Sequence, residues 1–346
     1  MVIIILSLLF WIWALRRLGA PNIYAYAMIG VVMLVIVIMH LALPLGHPVR
    51  EATGGSLRPW AVIVVLGAVV VGYTALLRRI RDSHDQEDEP QHDGPFSQVE
   101  LERYARHIVL REIGGTGQQR LKRARVLVVG AGGLGSPVLQ YLGAAGVGTL
   151  GFIDDDEVTL SNLQRQVLFT ENDLDRRKVL AAERRLEALN PHVALRPYNR
   201  RLIDDIAVNL FEEFDLILDG SDSFETRALV NRTCVQLGLP LISGAISQWD
   251  GHVTVVHPGK TACMNCLFPK EPEPGTAPSC AEGGVLGALP GVIGSLMAVE
   301  AIKLLTKTGD GLSGRMMIYD ALHAETRTIK TERVSACVVC GAIPVK

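Results

Sequence analysis

The run Gly130-Ala131-Gly132-Gly133-Leu134-Gly135 has the spacing G-x-G-x-x-G. Residues without side chains at those places let backbone amides and the N-terminus of a following helix close on a phosphate. Asp154, about 20 residues further on, offers a carboxylate to ribose hydroxyls. Taken alone, these residues favour a dinucleotide dehydrogenase. The stretch after Asp154 adds Asn162, Gln164, Arg165 and Lys178, and the later run Asp219-Gly220-Ser221-Asp222-Ser223 adds carboxylates ahead of Arg227. Hydride transfer has little use for further cations there. A triphosphate that loses pyrophosphate does, because the leaving group's charge must be neutralised while the α-phosphorus is attacked. Carboxylates at the carboxyl end of a strand, facing phosphates, are natural Mg²⁺ ligands.

The cysteines are Cys234, Cys263, Cys266, Cys280, Cys337 and Cys340. Two C-x-x-C pairs, Cys263 with Cys266 and Cys337 with Cys340, suit tetrahedral thiolate zinc. Disulfides are the competing reading, which a cytoplasmic setting disfavours. Four sulfurs leave no open position for a substrate, so the zinc is expected to be structural, stapling the loop after a strand at Val253 to Val256 to the end of the chain. Cys234, in the apolar run ALVNRTCVQLGL, reads as packing. Cys280 lies in EPEPGTAPSCAEGG, a loop punctuated by proline and glycine of the kind that often carries function. His252 and His257 read as ordinary strand and turn residues rather than ligands.

These groups need elements to hold them. Ser97-Gln98-Val99-Glu100 has the form of a capping box, and Leu101, Tyr104, Ala105 and Ile108 follow at helical spacing, so a helix is expected to start near Ser97. Arg125 to Val129 is a buried-strand pattern that runs into the glycine turn and then the helical run SPVLQYLGAAG. A second strand, Thr149 to Ile153, ends at Asp154, and a third, Phe214 to Leu218, ends at Asp219. Strand, glycine turn, helix and acidic residue thus fall in the order of a nucleotide-binding α/β sheet.

Residues 1–77 are of another kind, holding only Arg16, Arg17, Arg50, Glu51 and Arg58 as charged side chains. Tyr24 to Leu43 and Trp60 to Leu77 are each near the length that crosses hydrocarbon, and residues 1–81 are read as a transmembrane region of two or three helices. Val2 to Leu15 is either a short span or the apolar stretch of a signal peptide; Arg16 and Arg17 follow it rather than precede it, which argues against cleavage. Arg16, Arg17, Arg78, Arg79 and Arg81 would flank one side, placing the large domain in the cytoplasm. Arg50 and Arg58 in the opposite loop weaken that contrast. Residues 82–96, with the acidic run DSHDQEDEPQHD, read as a solvated linker, and residues 97–346 as the catalytic domain. With 34 Lys+Arg against 36 Asp+Glu, the chain lacks the basic excess that nucleic-acid binding asks for.

GAGGLGSP, DDDEVTLSNLQRQ, the lysine of DRRKVLAA, LDGSDSFETRALVN, LISGAISQWDGHVTV and GVIGSLMAVEAIKLL, in this order, resemble the MoeB/ThiF/HesA-type adenylyltransferases related to ubiquitin-activating enzymes, and within them most closely the molybdopterin-synthase adenylyltransferases. The resemblance covers about residues 97–341, nearly the whole of the cytoplasmic part. It implies a doubly wound Rossmann-like sheet with a structural zinc site, a homodimer, and Mg-ATP-dependent adenylylation of the C-terminal Gly-Gly carboxylate of a ubiquitin-like sulfur carrier. By position it implies that Gly130, Gly132, Gly133 and Gly135 meet the nucleotide and Asp154 the ribose. Asn162, Arg165 and Lys178 would hold phosphates and Asp222 the Mg²⁺. Arg106 would reach into the other subunit's site, and Cys280 matches a position where some relatives take an acyl group from the adenylate. Ser223 departs from the pattern, since relatives commonly carry Asn there.

Two readings from other classes stand beside this one. A nicotinamide-dependent oxidoreductase rests on the glycine turn and Asp154, and a membrane-tethered binding module without turnover rests on Ser223. The choice among molybdopterin, thiamine and other sulfur carriers has no short motif, and the sulfur donor is expected to be another protein.

Overall fold

The computed structural model describes residues 22–44, 46–56, 58–84, 94–270 and 283–344, together with Ser7, Phe10, Trp11, Trp13 and Arg17. The chain divides into two compact units, Met1–Gln91 and His92–Lys346.

In the first unit, helices Asn22–Ala42 and Arg58–His84 cover the two apolar stretches, and the short helix Pro48–Ala52 lies between them. The connection is closed by polar groups. Trp60 Nε1 donates to the Thr53 carbonyl at 2.7 Å and Arg50 Nη1 to the Leu43 carbonyl at 2.8 Å. Val31, Leu34, Leu41, Val65, Leu66, Val69 and Val70 are exposed. The described apolar parts, Ala27–Ala42 and Arg58–Thr74, are each shorter than a full span.

The second unit is built on one eight-stranded sheet. Its strands are β1 Arg125–Val129, β2 Thr149–Ile153, β3 Ala194–Tyr198, β4 Leu216–Asp219, β5 Leu241–Ile246, β6 Asp250–Val256, β7 Arg315–Asp320 and β8 Glu325–Lys330, in the spatial order β3-β2-β1-β4-β5-β6-β7-β8. The first five are parallel and the last three join by antiparallel pairing. Helices cover both faces of the parallel part, which is why RVLVV and LILD are apolar at nearly every position rather than at alternate ones. Val126, Val128, Leu216 and Leu218 face one core with helix Leu289–Thr306, and Leu127, Val129 and Ile217 face another with helix Phe224–Leu237. Helix Leu289–Thr306 is long and apolar enough to cross a membrane, yet half of it is buried in this domain.

The capping box at Ser97 is complete: Glu100 N donates to Ser97 Oγ at 3.2 Å and Ser97 N to Glu100 Oε2 at 2.9 Å, opening helix Gln98–Ile108. The strand expected at Phe214 to Leu218 runs instead from Leu216 to Asp219, starting two residues later and ending one later. Phe214 N still bonds to Phe211 O in the turn that ends helix Asp204–Phe211, and its ring lies against Gly151. Burial of Phe214 comes from packing across the sheet and not from strand pairing. The strand expected at Val253 begins earlier, because Ser247 and Asp250 close a tight hairpin ahead of it.

In this order β1 has β2 on one side and β4 on the other, so the chain leaves β1 and β4 toward opposite flanks and a crevice opens at their carboxyl ends.

Candidate functional site

The crevice is floored by two glycines. Gly130, just after β1, has φ +88, and a Cβ there would stand 3.2 Å from the carbonyl of Gly220, just after β4. Gly135 opens helix Gly135–Ala145, and a Cβ on it would run into the Gly130 carbonyl oxygen. Only glycine at both places lets the turn fold this tightly. Gly132 and Gly133 face outward toward side chains: a Cβ on Gly132 would meet Gln166 Nε2 at 3.6 Å, and one on Gly133 would meet Pro290 Cβ at 3.1 Å and Arg165 Cδ at 3.9 Å. The helix behind them has no side-chain cap; Ser136 N already donates to the Gly132 carbonyl at 2.9 Å and Pro137 has no N–H, so what the helix offers a ligand is the positive end of its dipole.

Asp154, at the end of β2, is tied to this turn. Its Oδ2 accepts from Ala131 N at 2.8 Å and its Oδ1 from Asp156 N at 2.9 Å. Burial raises its pKa, against the pull of Lys178 and of the two amides. Lys178 is 4% exposed and its Nζ lies 2.7 Å from Asp156 Oδ2. It begins helix Lys178–Leu189, and its own amide donates to the Asp156 carbonyl, so backbone and side chain fix the ammonium beside Asp154. Arg165 donates through Nη2 to Asn162 Oδ1 at 2.9 Å and through Nη1 to the Ser161 carbonyl at 3.1 Å. The predicted Asn162, Arg165 and Lys178 thus converge with the glycine turn and Asp154 on one crevice.

The loop after β4 is set by its own residues. Asp219 is 1% exposed and its Oδ1 accepts from Ser221 N and Oγ. Ser223 Oγ accepts from Thr226 N at 3.3 Å, capping helix Phe224–Leu237, and Arg227 donates to the Ser221 carbonyl. Asp222 is exposed between these anchors. The serine that departs from the family pattern is thus the helix cap, a task that Asn performs equally well.

Gln166 is the residue that the sequence did not single out. It is 4% exposed beside Gly132, and its Oε1 is buried without a hydrogen-bond partner among the described residues. Its one signal is its place at the end of the Gln164-Arg165-Gln166 triplet. His252 stacks on Phe268 with centroids 5.5 Å apart, and burial together with the Arg227 charge lowers its pKa to about 4. It is a neutral strand residue and not a ligand of the cysteine cluster.

The two C-x-x-C pairs come together. Cys263 Sγ lies 3.8 Å from Cys266 Sγ and 3.7 Å from Cys337 Sγ, and Cys266 Sγ lies 3.4 Å from Cys340 Sγ. Zn–S bonds of about 2.3 Å require sulfur–sulfur edges of about 3.8 Å, so the four residues fit a tetrahedral zinc. Asn265 Nδ2 and Val334 N donate to Cys337 and Cys266 sulfurs, and Met264 N donates to Asn231 Oδ1, fastening the knuckle to helix Phe224–Leu237. Buried Cys234 belongs to the core beneath that helix, where burial and then the Asp219 charge push its thiol pKa up.

Arg106 is exposed and stands away from this chain's own crevice. Tyr104, on the same helix, packs on Gly146, and Arg103 bonds to the Leu189 carbonyl. Gly146 is at the C-terminal end of the helix whose N-terminus meets the glycine turn, about 16 Å along its axis. Cys280 lies outside the described residues.

Residues 104–339 match the ThiF family. The chain is 51% identical to the sulfur carrier protein adenylyltransferase of Thermus thermophilus over 72% of this chain and 94% of that protein. It is 45% identical to the SAMP-activating enzyme E1 of Haloferax volcanii over 70% of this chain and 90% of that protein. Among solved structures, E. coli MccB with ATP superposes with a TM-score of 0.59 and 25% identity, over 65% of this chain and 69% of that one. With a doubly wound sheet, a glycine turn at its switch point and a matching stretch of this length, the chain belongs to the ThiF family.

Proposed function

We propose that the domain transfers the adenylyl group of ATP to the C-terminal glycine carboxylate of a small ubiquitin-like sulfur carrier, most closely the small subunit of molybdopterin synthase. The observation that carries this reading is the placing of Arg165, held by Asn162, and of buried Lys178 around the glycine turn. Cations there suit a departing pyrophosphate and have no task in hydride transfer. The relatives' names as sulfur carrier and SAMP-activating enzymes support the same chemistry.

The glycine turn and the helix behind it would receive the phosphates, and Asp154 the ribose. The carrier's carboxylate is already ionised and attacks the α-phosphorus in line, so this chain needs to supply orientation and positive charge and no general base. Mg²⁺, held by exposed Asp222, would neutralise phosphate charge. Zinc on Cys263, Cys266, Cys337 and Cys340 would be structural, with all four positions filled by protein. Arg106 would complete the crevice of a second copy in a homodimer, and Cys280 would take the acyl group from the adenylate.

The two N-terminal helices would cross a membrane, with residues 2–15 as a third span or a short anchor. Arg16, Arg17, Arg78, Arg79 and Arg81 would lie on the cytoplasmic side with the catalytic domain. The exposed apolar side chains of helices Asn22–Ala42 and Arg58–His84 support this arrangement.

The test is ATP–pyrophosphate exchange by the full chain in detergent, with Mg²⁺ and a panel of Gly-Gly carriers from the molybdopterin and thiamine routes. Exchange with one carrier is expected, and silence with every carrier would remove the reading.

A further inference from the structure

The end of the catalytic domain opposite the crevice is basic. Arg120 and Arg123 close helix Gly114–Arg123 just before β1, Lys260 follows β6, Lys307 follows helix Leu289–Thr306, and Arg315 is in register with Lys330 where β7 starts and β8 ends. All lie near the strand ends farthest from the glycine turn. β6 is antiparallel to β5, so its last residues pair with Leu241 at the start of β5. Among the described residues none of these six cations pairs with a carboxylate. Arg120 and Arg315 donate instead to the Thr306 and Gly311 carbonyls, which fixes their direction without cancelling their charge. Glu300 is 5% exposed and taken up by Lys303 and by Leu312 N, and at the same strand ends Asp215 pairs with Arg125 and Glu213 with Arg196, which leaves Asp310, Glu332 and Glu212 as exposed acids without such a cation. A recess of about 220 Å³ opens there, lined by Lys303, Lys307, Thr308 and Ser313 together with Glu300, whose carboxylate Lys303 and Leu312 N take up.

The chain enters the domain at the same end. Lys122 Nζ donates to the Pro95 carbonyl at 2.7 Å and lies 5.0 Å from the centre of the Phe96 ring, one residue from Arg123. Helix Arg58–His84 ends ten residues before Gly94, a distance that extended chain bridges with at most about 35 Å. A tether of at most this length keeps the basic face within reach of any surface that the two apolar helices occupy.

We infer that this end of the domain docks on an anionic lipid bilayer, with Arg120, Arg123, Lys260, Lys307, Arg315 and Lys330 against the headgroups and the carboxyl ends of β1 and β4 turned to the aqueous side, open to a carrier protein. The inference rests on the membrane-anchored reading given above. Phosphate headgroups supply the negative charge that the patch lacks, and the recess beside Lys307 is large enough to admit one.

The test uses the full chain reconstituted into vesicles of phosphatidylcholine alone or with about a third phosphatidylglycerol, labelled briefly with an amine-acylating reagent and read by mass spectrometry. Lys260, Lys307 and Lys330 are expected to label more slowly on the anionic vesicles, roughly fivefold for each neighbouring cation that engages the surface. The difference should vanish at about 0.5 M salt, where screening is complete within a few ångströms. Lys270, near the crevice end, serves as the unprotected control. Lys260→Glu with Lys330→Glu should abolish the protection of Lys307. Equal labelling on the two vesicle types overturns the inference. So does protection already present in detergent, which would assign the patch to the acidic linker or to a second copy. Washing the same vesicles with alkaline carbonate separates the two readings: protein stripped off with its lysines protected beforehand sinks the anchoring, and protein retained with its lysines unprotected sinks the docking.

Discussion

Asp154 Oδ2 accepts a hydrogen bond from the amide of Ala131 at 2.8 Å, so the carboxylate that ends β2 holds the glycine turn that ends β1. The same carboxylate has its other oxygen on Asp156 N and the Lys178 ammonium nearby. It shapes the cradle before any nucleotide arrives.

That position sets a pH dependence. Burial raises the Asp154 pKa above its ordinary 3.8, so its protonated form is favoured in the folded state. The group therefore contributes stability below pH 3.8, and this contribution is lost as pH rises through the raised folded value. Asp154→Asn removes the titration. The urea midpoint of the variant relative to the native protein is expected to climb across the window above 3.8 and then level off. A difference that is flat or falls over this window would contradict it. Exchange activity should drop in the variant, since the amide cannot accept from both Ala131 and Asp156.

Asp222 makes the opposite kind of prediction. It is exposed in a loop that Asp219, Ser223 and Arg227 already hold. Asp222→Ala should leave stability within about 0.5 kcal/mol, as for surface changes in general, while lowering exchange by roughly 10²-fold, the scale of losing one electrostatic contributor. Ser223→Asn keeps a good helix cap and should leave the thermal midpoint unchanged. Thermal melts beside pyrophosphate exchange would read both variants, and a large drop in melting temperature for Asp222→Ala would place that residue in the fold instead.

The cysteine cluster predicts one bound zinc per chain, joined to stability. The metal would tie the segment after β6 to residues 337–340, and Asn231 carries that knuckle onto helix Phe224–Leu237. Cys263→Ser should lose the zinc by atomic absorption and lower the melting temperature by about 4 °C or more, since even 1 kcal/mol shifts a domain of this size by about 2–4 °C. Because the site is closed, a chelator should slow exchange only as fast as it removes the metal and unfolds the staple. Full activity with no zinc would refute the structural role.

The sequence revealed elements where local pattern and tertiary task coincide. Arg125–Val129 and Thr149–Ile153 were legible to the residue because an apolar run, buried on both faces, is cut off by glycine or aspartate whose function lies at that point. Ser97 and Glu100 were legible because a capping box is satisfied within four residues. Phe214 was read into a strand that starts two residues later because a side chain packed on Gly151 looks the same in sequence as one in a paired strand. Gln166 was missed for a related reason: its burial depends on Gly132, which is distant in sequence, and a single glutamine has no periodicity. The meeting of the two C-x-x-C pairs was legible only from chemistry, since β7, β8 and helix Leu289–Thr306 intervene between them.

Arg106 gives the last prediction, and the sharpest about assembly. The helix that carries it lies against the far end of helix Gly135–Ala145, at Gly146, so the arginine is remote from the crevice of its own chain. If it works at all in the reaction, it works in a second copy. Arg106→Ala and Asp222→Ala should each be nearly inactive alone. Unfolded together and refolded as a mixture, half of the dimers contain one chain of each kind. In those dimers one crevice has its own Asp222 and the partner's intact arginine, and the other has lost both. The mixture should therefore recover about one quarter of native exchange activity, the value expected for random pairing across a twofold axis. Recovery depends on the arginine acting across the interface, because an arginine serving its own chain would leave every crevice in the mixture with one defect. No recovery, in a mixture shown to be dimeric, would overturn the action of Arg106 across the interface.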